Sequence, residues 1–442
     1  MVKRAFLLSC LVFAVVALAP ARGDEHGFVP LFNGDDLKGW VRVNCAPDTF
    51  TVKDHMIVTT GIPTGVMRTE KQYENFIVEL EWKHLKPKGN SGFFVWSDPL
   101  PAVGVPFTRA IEVQILDGTE GKNFTSDGDV FSIWGARLTP DRPHPGGWQR
   151  CLPSEKRCKP AGNWNHYRVE CNNGVLKLAV NGKVVSGGSM CRPRKGYLCL
   201  EAEGSECHFR NLRIKELPST NPKSEEIADE AKDFVSLFTG VDLRGWRRDE
   251  GHKGHWAPRP ESNTLQYDGA SLAKDKNLWT TKEYRDFELM CDWRWTNKSA
   301  PRKHPVILPS GDEARDADGK VKEVEVADAG DSGIYLRGSS KSQVNIWCWP
   351  IGSGEVYGYR TDAGMSPDVR RGVTPKVKAD NRLGEWNRFH ITLRGDRLTV
   401  RLNDKLVLEN AQLPGIPEQG PLGLQHHGSP IEFANLFIRE LK

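Results

Sequence analysis

Several chemistries lack local support in this 442-residue chain, which has no Cys-x-x-Cys pair, Gly-x-Ser-x-Gly elbow, His-Glu-x-x-His helix or phosphate-binding loop. Those absences count against thioredoxin-like redox work, a structural zinc site, a serine-hydrolase nucleophile, zinc proteolysis and phosphate-loop chemistry. No basic stripe interleaved with aromatics occurs, and 61 Lys and Arg stand against 57 Asp and Glu, so nucleic acid is not an expected partner. Beyond the N-terminus no run reaches the roughly 18 apolar residues of a membrane span. No long helical period is present either.

Glycine (43) and tryptophan (14) are plentiful, which suits a turn-rich β protein with indoles available to stack on sugar rings. At the N-terminus, Lys3 and Arg4 precede the apolar run Ala5 to Leu18, and Ala19-Pro20-Ala21 supplies small residues for cleavage. Residues 1–22 therefore read as a signal peptide and the rest as an exported chain. Cys10 comes too early in the apolar run for a lipoprotein cleavage box. An exported chain can oxidise its cysteines, and two pairings suggest themselves: Cys199 with Cys207 across a short turn, and Cys151 with Cys158 around a loop.

LFNGDDLKGW at 31–40 returns as LFTGVDLRGW at 237–246, so the chain holds two copies of one plan. The first spans 27–217 and the second 234–442, with the polar stretch 218–233 as linker. Phe76, Val78, Leu80 and Trp82 alternate with polar residues, as do Ile111, Val113 and Ile115, the period of half-buried strands. Residues from Gly118 to about Pro160 read as one long loop. Trp82 with Trp293, Trp164 with Trp386 and Asn211 with Asn435 hold the two copies in register. The second copy carries a charged insertion between Trp295 and Asp331. Asp316, Asp318, Gly319 and Glu325 in it match part of a calcium loop, but Ala314 stands where the first ligand belongs, so a solvated loop is the better reading. The fold class expected is all-β, two tandem concanavalin-like jelly-roll sandwiches.

Strand alternation groups the polar candidates. In the first copy Glu112 pairs with Gln114, Glu201 with Glu203, and Asn90 with Trp96, all opposite the core. The matching groups in the second are Gln343 with Asn345, Gln425 with His427, and Asp331 with Arg337. The first set is acidic, and convergent carboxylates can act as a general base or hold a divalent cation beside an indole that stacks on a pyranose. His426 and His427 are adjacent on a strand, so they point to opposite faces and do not share an ion, while His427 alone is a candidate for binding or catalysis.

The opening decapeptide, Asn90-Ser91-Gly92 before an apolar strand, Glu-Val-Gln-Ile-Leu-Asp at 112–117, an Asn-Gly turn and the closing GLQHHGSPIEF together resemble the 3-keto-disaccharide hydrolase domain family, twice over. That resemblance implies a jelly-roll fold and cleavage of (3-keto-)disaccharides or glycosides by base-assisted elimination or hydrolysis. The ketone acidifies the C2 proton, and the developing enolate needs an Arg or metal-ion donor. Carried over by position, Glu112 is the favoured base with Glu203 or a cation as helper, and Asp117 joins the binding set. The second copy has Asp331 for the Asn, keeps Arg337, Gln425 and His427, and has Gln343 in place of the carboxylate. The alternative from another class is a pair of lectin-like glycan-binding modules without chemistry. A third is a structural role at the cell envelope.

Overall fold

In a computed structural model that describes residues 27–117 and 128–442, both copies of the opening decapeptide fold alike. Trp40 Nε1 donates to Leu31 O at 2.9 Å and Trp246 Nε1 to Leu237 O at 2.8 Å. Gly39 and Gly245 turn the chain just before the indoles at φ of 86° and 89°, a region that disfavours a Cβ. Both indoles are buried, so the motif plugs the core of its own copy. The expected leader, 1–22, lies outside the described residues. Among those described, no helix is long and apolar enough to cross a membrane.

Each copy is a two-layer antiparallel β-sandwich of the concanavalin-like jelly-roll class. The outer sheet of the first centres on Asn165–Asn172, Phe76–His84 and Cys207–Glu216. Phe76, Val78, Leu80 and Trp82 all face its core, where burial of each large apolar side chain is worth about 1.5–3 kcal/mol. The inner sheet runs Arg150–Cys151, Val130–Ile133, Ala110–Leu116, Asn90–Ser97, Tyr197–Ala202, Gly65–Thr69 and Trp40–Arg42. In the second copy the inner sheet is shorter: Leu278–Tyr284, Gly420–Leu424, Asp331–Leu336 and Ser339–Trp347.

Three expectations are corrected. From 128 on, the supposed long loop contains the strands Val130–Ile133, Arg137–Pro140 and Arg150–Cys151, each too short and too interrupted by Gly and Pro for alternation to show. The charged insertion is a β-hairpin, Ala300–Pro305 with Glu323–Asp328, and its calcium-like stretch is a turn in which Asp316 Oδ1 accepts from the Asp318 and Lys320 amides, both at 2.9 Å. Neither expected disulfide is present. Cys199 faces away from the first sandwich's core and Cys207 faces into it, so the two cannot meet; Cys151 is buried in that core, while Cys158 lies beside the Tyr167 hydroxyl at 3.8 Å.

The linker stretch contains the 3-10 turn Ser224–Glu226 and lies on the first copy, with Glu226 bonded to Arg194 Nε at 2.9 Å. Beyond it, the outer sheet of the second copy packs on the inner sheet of the first. Phe437 joins Val43, Val66, Phe94, Ala110 and Cys199 in one apolar cluster, with Met290 and Phe234 against it. Met290 and Phe437 are register partners, and their positional counterparts in the first copy, Glu79 and Arg213, are register partners too. There, among the described residues, no second sandwich covers the sheet, and the pair is an ion pair at 2.6 Å.

Beside Phe437, the fully buried Asp292 accepts from Arg388 at 2.6 and 2.8 Å, from Asn435 Nδ2 at 2.7 Å, and from the Gly104 amide of the first copy at 2.8 Å. Arg388 Nη2 donates to Pro101 O at 2.9 Å, and Asn435 Nδ2 to Ala102 O and Val105 O at 2.9 and 3.1 Å. This network ties the loop 99–107 of the first copy to the sheet of the second. Removing one partner of such a buried pair strands the other charge. Asp292→Ala is expected to lower unfolding free energy by about 3–5 kcal/mol in a urea titration; an unchanged midpoint would show that the copies do not depend on this contact.

Candidate functional site

On the strand Asn90–Ser97 the side chains at 92 and 94 face away from the sandwich core, and residue 92 has none. Gly92 lies opposite Gln114 on one neighbouring strand and beside Glu201 on the other. A Cβ there would come within 2.7 Å of Glu201 Oε2 and 2.8 Å of Glu112 Oε1. The missing side chain is the space into which two carboxyl groups lean. Glu203 follows one pleat farther, where Asn90 Nδ2 donates to its Oε2. Ser205 Oγ accepts from the Asn90 amide at 2.8 Å and fixes the crossing point of the strands.

Glu112, Glu201 and Glu203 line a cavity of about 670 Å³ with Asn90, Gln114 and Arg150. Phe107, Phe131, Trp134 and Trp148 form its apolar walls, and the two indoles are about half exposed, Trp148 stacking on His144 at 4.4 Å. Arg150 donates through Nε to the fully buried Asp129 at 2.5 Å, which holds its guanidinium at the cavity wall. The second copy covers the apolar half of the same sheet face, Val43, Val66, Phe94 and Ala110. Phe107 closes the loop that Asp292 anchors, so the neighbouring copy helps to shape this wall.

Burial is the first cause of the electrostatics. It pushes Glu112 well above the usual carboxylate range, aided by Glu203 and opposed by Arg150. Glu201 is also pushed well up, by burial and then by Glu112 and Glu203. Glu203 is raised as well, by burial, though it is the least enclosed of the three. Like charges crowded in a poorly solvated space retain protons. The crowding therefore favours the protonated form of Glu112 and Glu201 next to a more accessible carboxyl, a combination suited to donating and accepting protons in one reaction. Among the described residues, no group of three or more His, Cys, Asp or Glu side chains is arranged to hold a metal ion.

Six predicted residues of the first copy gather here or nearby: Asn90, Glu112, Gln114, Glu201 and Glu203 line the cavity, and Asp117 stands outside it, accepting from the Lys88 amide at 3.0 Å. Trp96 is elsewhere. Alternation puts it on the polar face, but at φ 54° its backbone bulges and turns the indole into the core, where Nε1 donates to Glu74 O at 2.7 Å. Arg337, its counterpart at φ 50°, is likewise buried and donates to Arg285 O, Gly395 O and Pro417 O while pairing with Asp286 at 2.8 Å. Neither side chain is available to a ligand.

The second copy repeats the backbone and changes the chemistry. Gly333 takes the place of Gly92, and the crowded pair above it is Gln343 donating to Gln425. Asn345 is buried alongside. Asp331 and His427 stand where Asn90 and Glu203 do and approach each other to 4.0 Å, lining a separate cavity of about 520 Å³. Burial pushes the Asp331 carboxyl up to about 6 against the pull of His427. His426 points the other way, to the Tyr267 hydroxyl, but both histidines lie past the end of the strand Gly420–Leu424, so loop geometry and not strand alternation separates them. Arg150, Trp134 and Trp148 escape sequence reading because they lie in the aperiodic 118–160 stretch, and His304, Asp328 and Trp349 because they belong to the insertion and to a loop.

A family model described as a 3-keto-alpha-glucoside-1,2-lyase-like domain matches residues 27–215 and again 233–439. No curated protein matches the chain. Among solved structures, one from Parabacteroides distasonis, provisionally described as a glycosyl hydrolase, is 25% identical over 44% of this chain and 95% of its own, with a TM-score of 0.35. The carbohydrate-binding module CBM66 from Bacillus subtilis is 11% identical over 41% of this chain and 97% of its own, TM-score 0.30. The β-glucanase of Bacillus licheniformis is 14% identical over 43% and 97%, TM-score 0.27.

Because Glu112 and Glu201 titrate higher in the fold than in an unfolded chain, the native state keeps protons that the unfolded state has lost above about pH 4.5. Stability contributed by these groups is full below that value and declines as pH rises through the raised native range. Glu201→Gln, which builds in the amide already present at 425, is expected to raise the melting temperature at pH 8 and leave it unchanged near pH 4. Equal pH dependence in the two proteins, measured by calorimetry, would contradict the crowding.

Proposed function

The chain belongs, in both of its halves, to the 3-keto-alpha-glucoside-1,2-lyase-like domain family, a carbohydrate-active family, and from that premise we propose that it is an exported enzyme cleaving 3-keto-glycosides in its first copy. The observation that carries the reading is the cluster of Glu112, Glu201 and Glu203 beside Arg150, in a cavity whose rim offers two half-exposed indoles. A cavity of about 670 Å³ suits a disaccharide-sized ligand, and an indole face suits a sugar ring.

In the proposed reaction the roles suggested by sequence exchange places. Glu203, the most accessible carboxylate, takes the C2 proton, and Asn90 holds it in position. Charge then develops on the C3 oxygen, where the protonated Glu112 and the Arg150 guanidinium can donate. As the enolate collapses, the ketone re-forms, a C1–C2 double bond appears and the C1–O bond breaks. The leaving oxygen takes a proton from Glu201, so the second sugar departs as a neutral alcohol. Water added later across the double bond would complete a net hydrolysis.

The lectin-like alternative predicts binding without release. Incubation with 3-keto-trehalose and with unoxidised trehalose, with and without chelator, separates the two. Free sugar is expected from the keto substrate alone, and Glu203→Gln is expected to lower kcat/KM by about 10²–10⁴-fold. Release from both sugars alike, or an undiminished Glu203→Gln variant, would refute this assignment.

A further inference from the structure

The inserted hairpin of the second copy is mostly solvated: four of the six positions of its first strand, Ala300, Pro301, Arg302 and Lys303, are exposed. Core packing therefore does not account for it. Two of its side chains are nonetheless withdrawn from solvent, His304 at 13% and Asp328 at 7% exposure, and His304 Nε2 meets Asp328 Oδ2 at 2.9 Å. Both line the 520 Å³ cavity, together with Asp331 and His427 from the family scaffold and with Trp349. Arg302, whose Nε is 3.9 Å from Asp328, and Lys298 complete the charged groups facing this space. The Trp349 indole is stacked on the buried Trp347 at 4.2 Å and 4°, and the His304 ring lies 5.3 Å away. A rigid indole platform beside an imidazole oriented by a carboxylate is a combination made for a ring-shaped polar ligand and a proton transfer.

We propose that the second copy carries an acid–base site of its own for a ketosugar, in which His304, positioned by Asp328, is the base and the His427–Asp331 pair lies across the same cavity. The inference rests on the reading of the chain as acting on ketosugars, but it employs none of the first copy's residues. With Nε2–H donated to Asp328, the lone pair of His304 is on Nδ1. That nitrogen takes the proton from the carbon next to the ketone, the C–H electron pair passes into an enolate, and the imidazolium is stabilised by Asp328. Return of the proton restores the sugar. The net event is reversible enolisation, which needs no oxidant or further reactant. The two copies thus run one kind of proton abstraction on different groups, clustered carboxyls in the first and imidazole–carboxylate pairs in the second.

The test uses the full chain carrying Glu203→Gln, 3-keto-trehalose in heavy water, and NMR of the C2 proton against a protein-free blank. Exchange above the blank is expected to survive Glu203→Gln and to fall by about 100-fold when His304→Gln is added. Sugar release by the His304→Gln single variant is expected to match the wild type. Asp328→Asn tests positioning: it should shift the pH midpoint of exchange, which loss of packing alone would not do. Absence of exchange in Glu203→Gln, or exchange indifferent to both hairpin substitutions, overturns the proposal. Failure of the first-copy reading shows separately, as sugar release that survives Glu203→Gln.

Discussion

Glu112 and Glu201 meet over a residue with no side chain, and the character of the first copy follows from that crowding. Two carboxyls in one poorly hydrated space cannot both ionise at modest cost, so they retain protons while Glu203, nearer the solvent, is freer to release its own. The second copy keeps the glycine and resolves the crowding with amides, Gln343 and Gln425. An amide pair needs no protonation balance. One backbone plan therefore supports an acidic centre in one half and a neutral one in the other, and the imidazoles of the second copy come from outside that pair.

The docking of the copies converts a sheet face into an enclosed site. In the first copy the inner face is apolar toward Val66 and Phe94 and polar toward Glu112 and Glu203. Phe437 of the second copy covers the apolar part and leaves the polar part open. Asp292 then holds Arg388, Asn435 and the loop 99–107 in one buried arrangement, and Phe107 at the end of that loop is a cavity wall. The second copy is consequently part of the geometry of the first site even where it contributes no chemistry to it.

Much of this was legible in the residues. The duplicated decapeptide, the alternation through Phe76 to Trp82 and the pairing of Glu112 with Gln114 all report local geometry, and local geometry is what a period of two encodes. Trp96 and Arg337 were misplaced because a single left-handed residue inverts the alternation without changing composition. The stretch holding Arg150 and Trp148 was opaque for a different reason: its strands are two to four residues long, shorter than any period can register. His304 and Asp328 were hidden in a segment polar on both faces, where only tertiary placement distinguishes a solvated side chain from one turned into a cavity. Contacts between the copies, such as Phe437 on Phe94, leave no signature along the chain.

The counterpart positions Glu79–Arg213 and Met290–Phe437 have one more implication. A head-to-tail contact between like modules has no natural end, and repeated between molecules it builds filaments. Here the sheet that docks is apolar only in the second sandwich. The matching sheet of the first carries Glu79, Glu81, Arg168, Arg210 and Arg213 in ion pairs. Seating it on another chain's second sandwich would strip those charges of water. That desolvation disfavours extending the stack through the first sandwich.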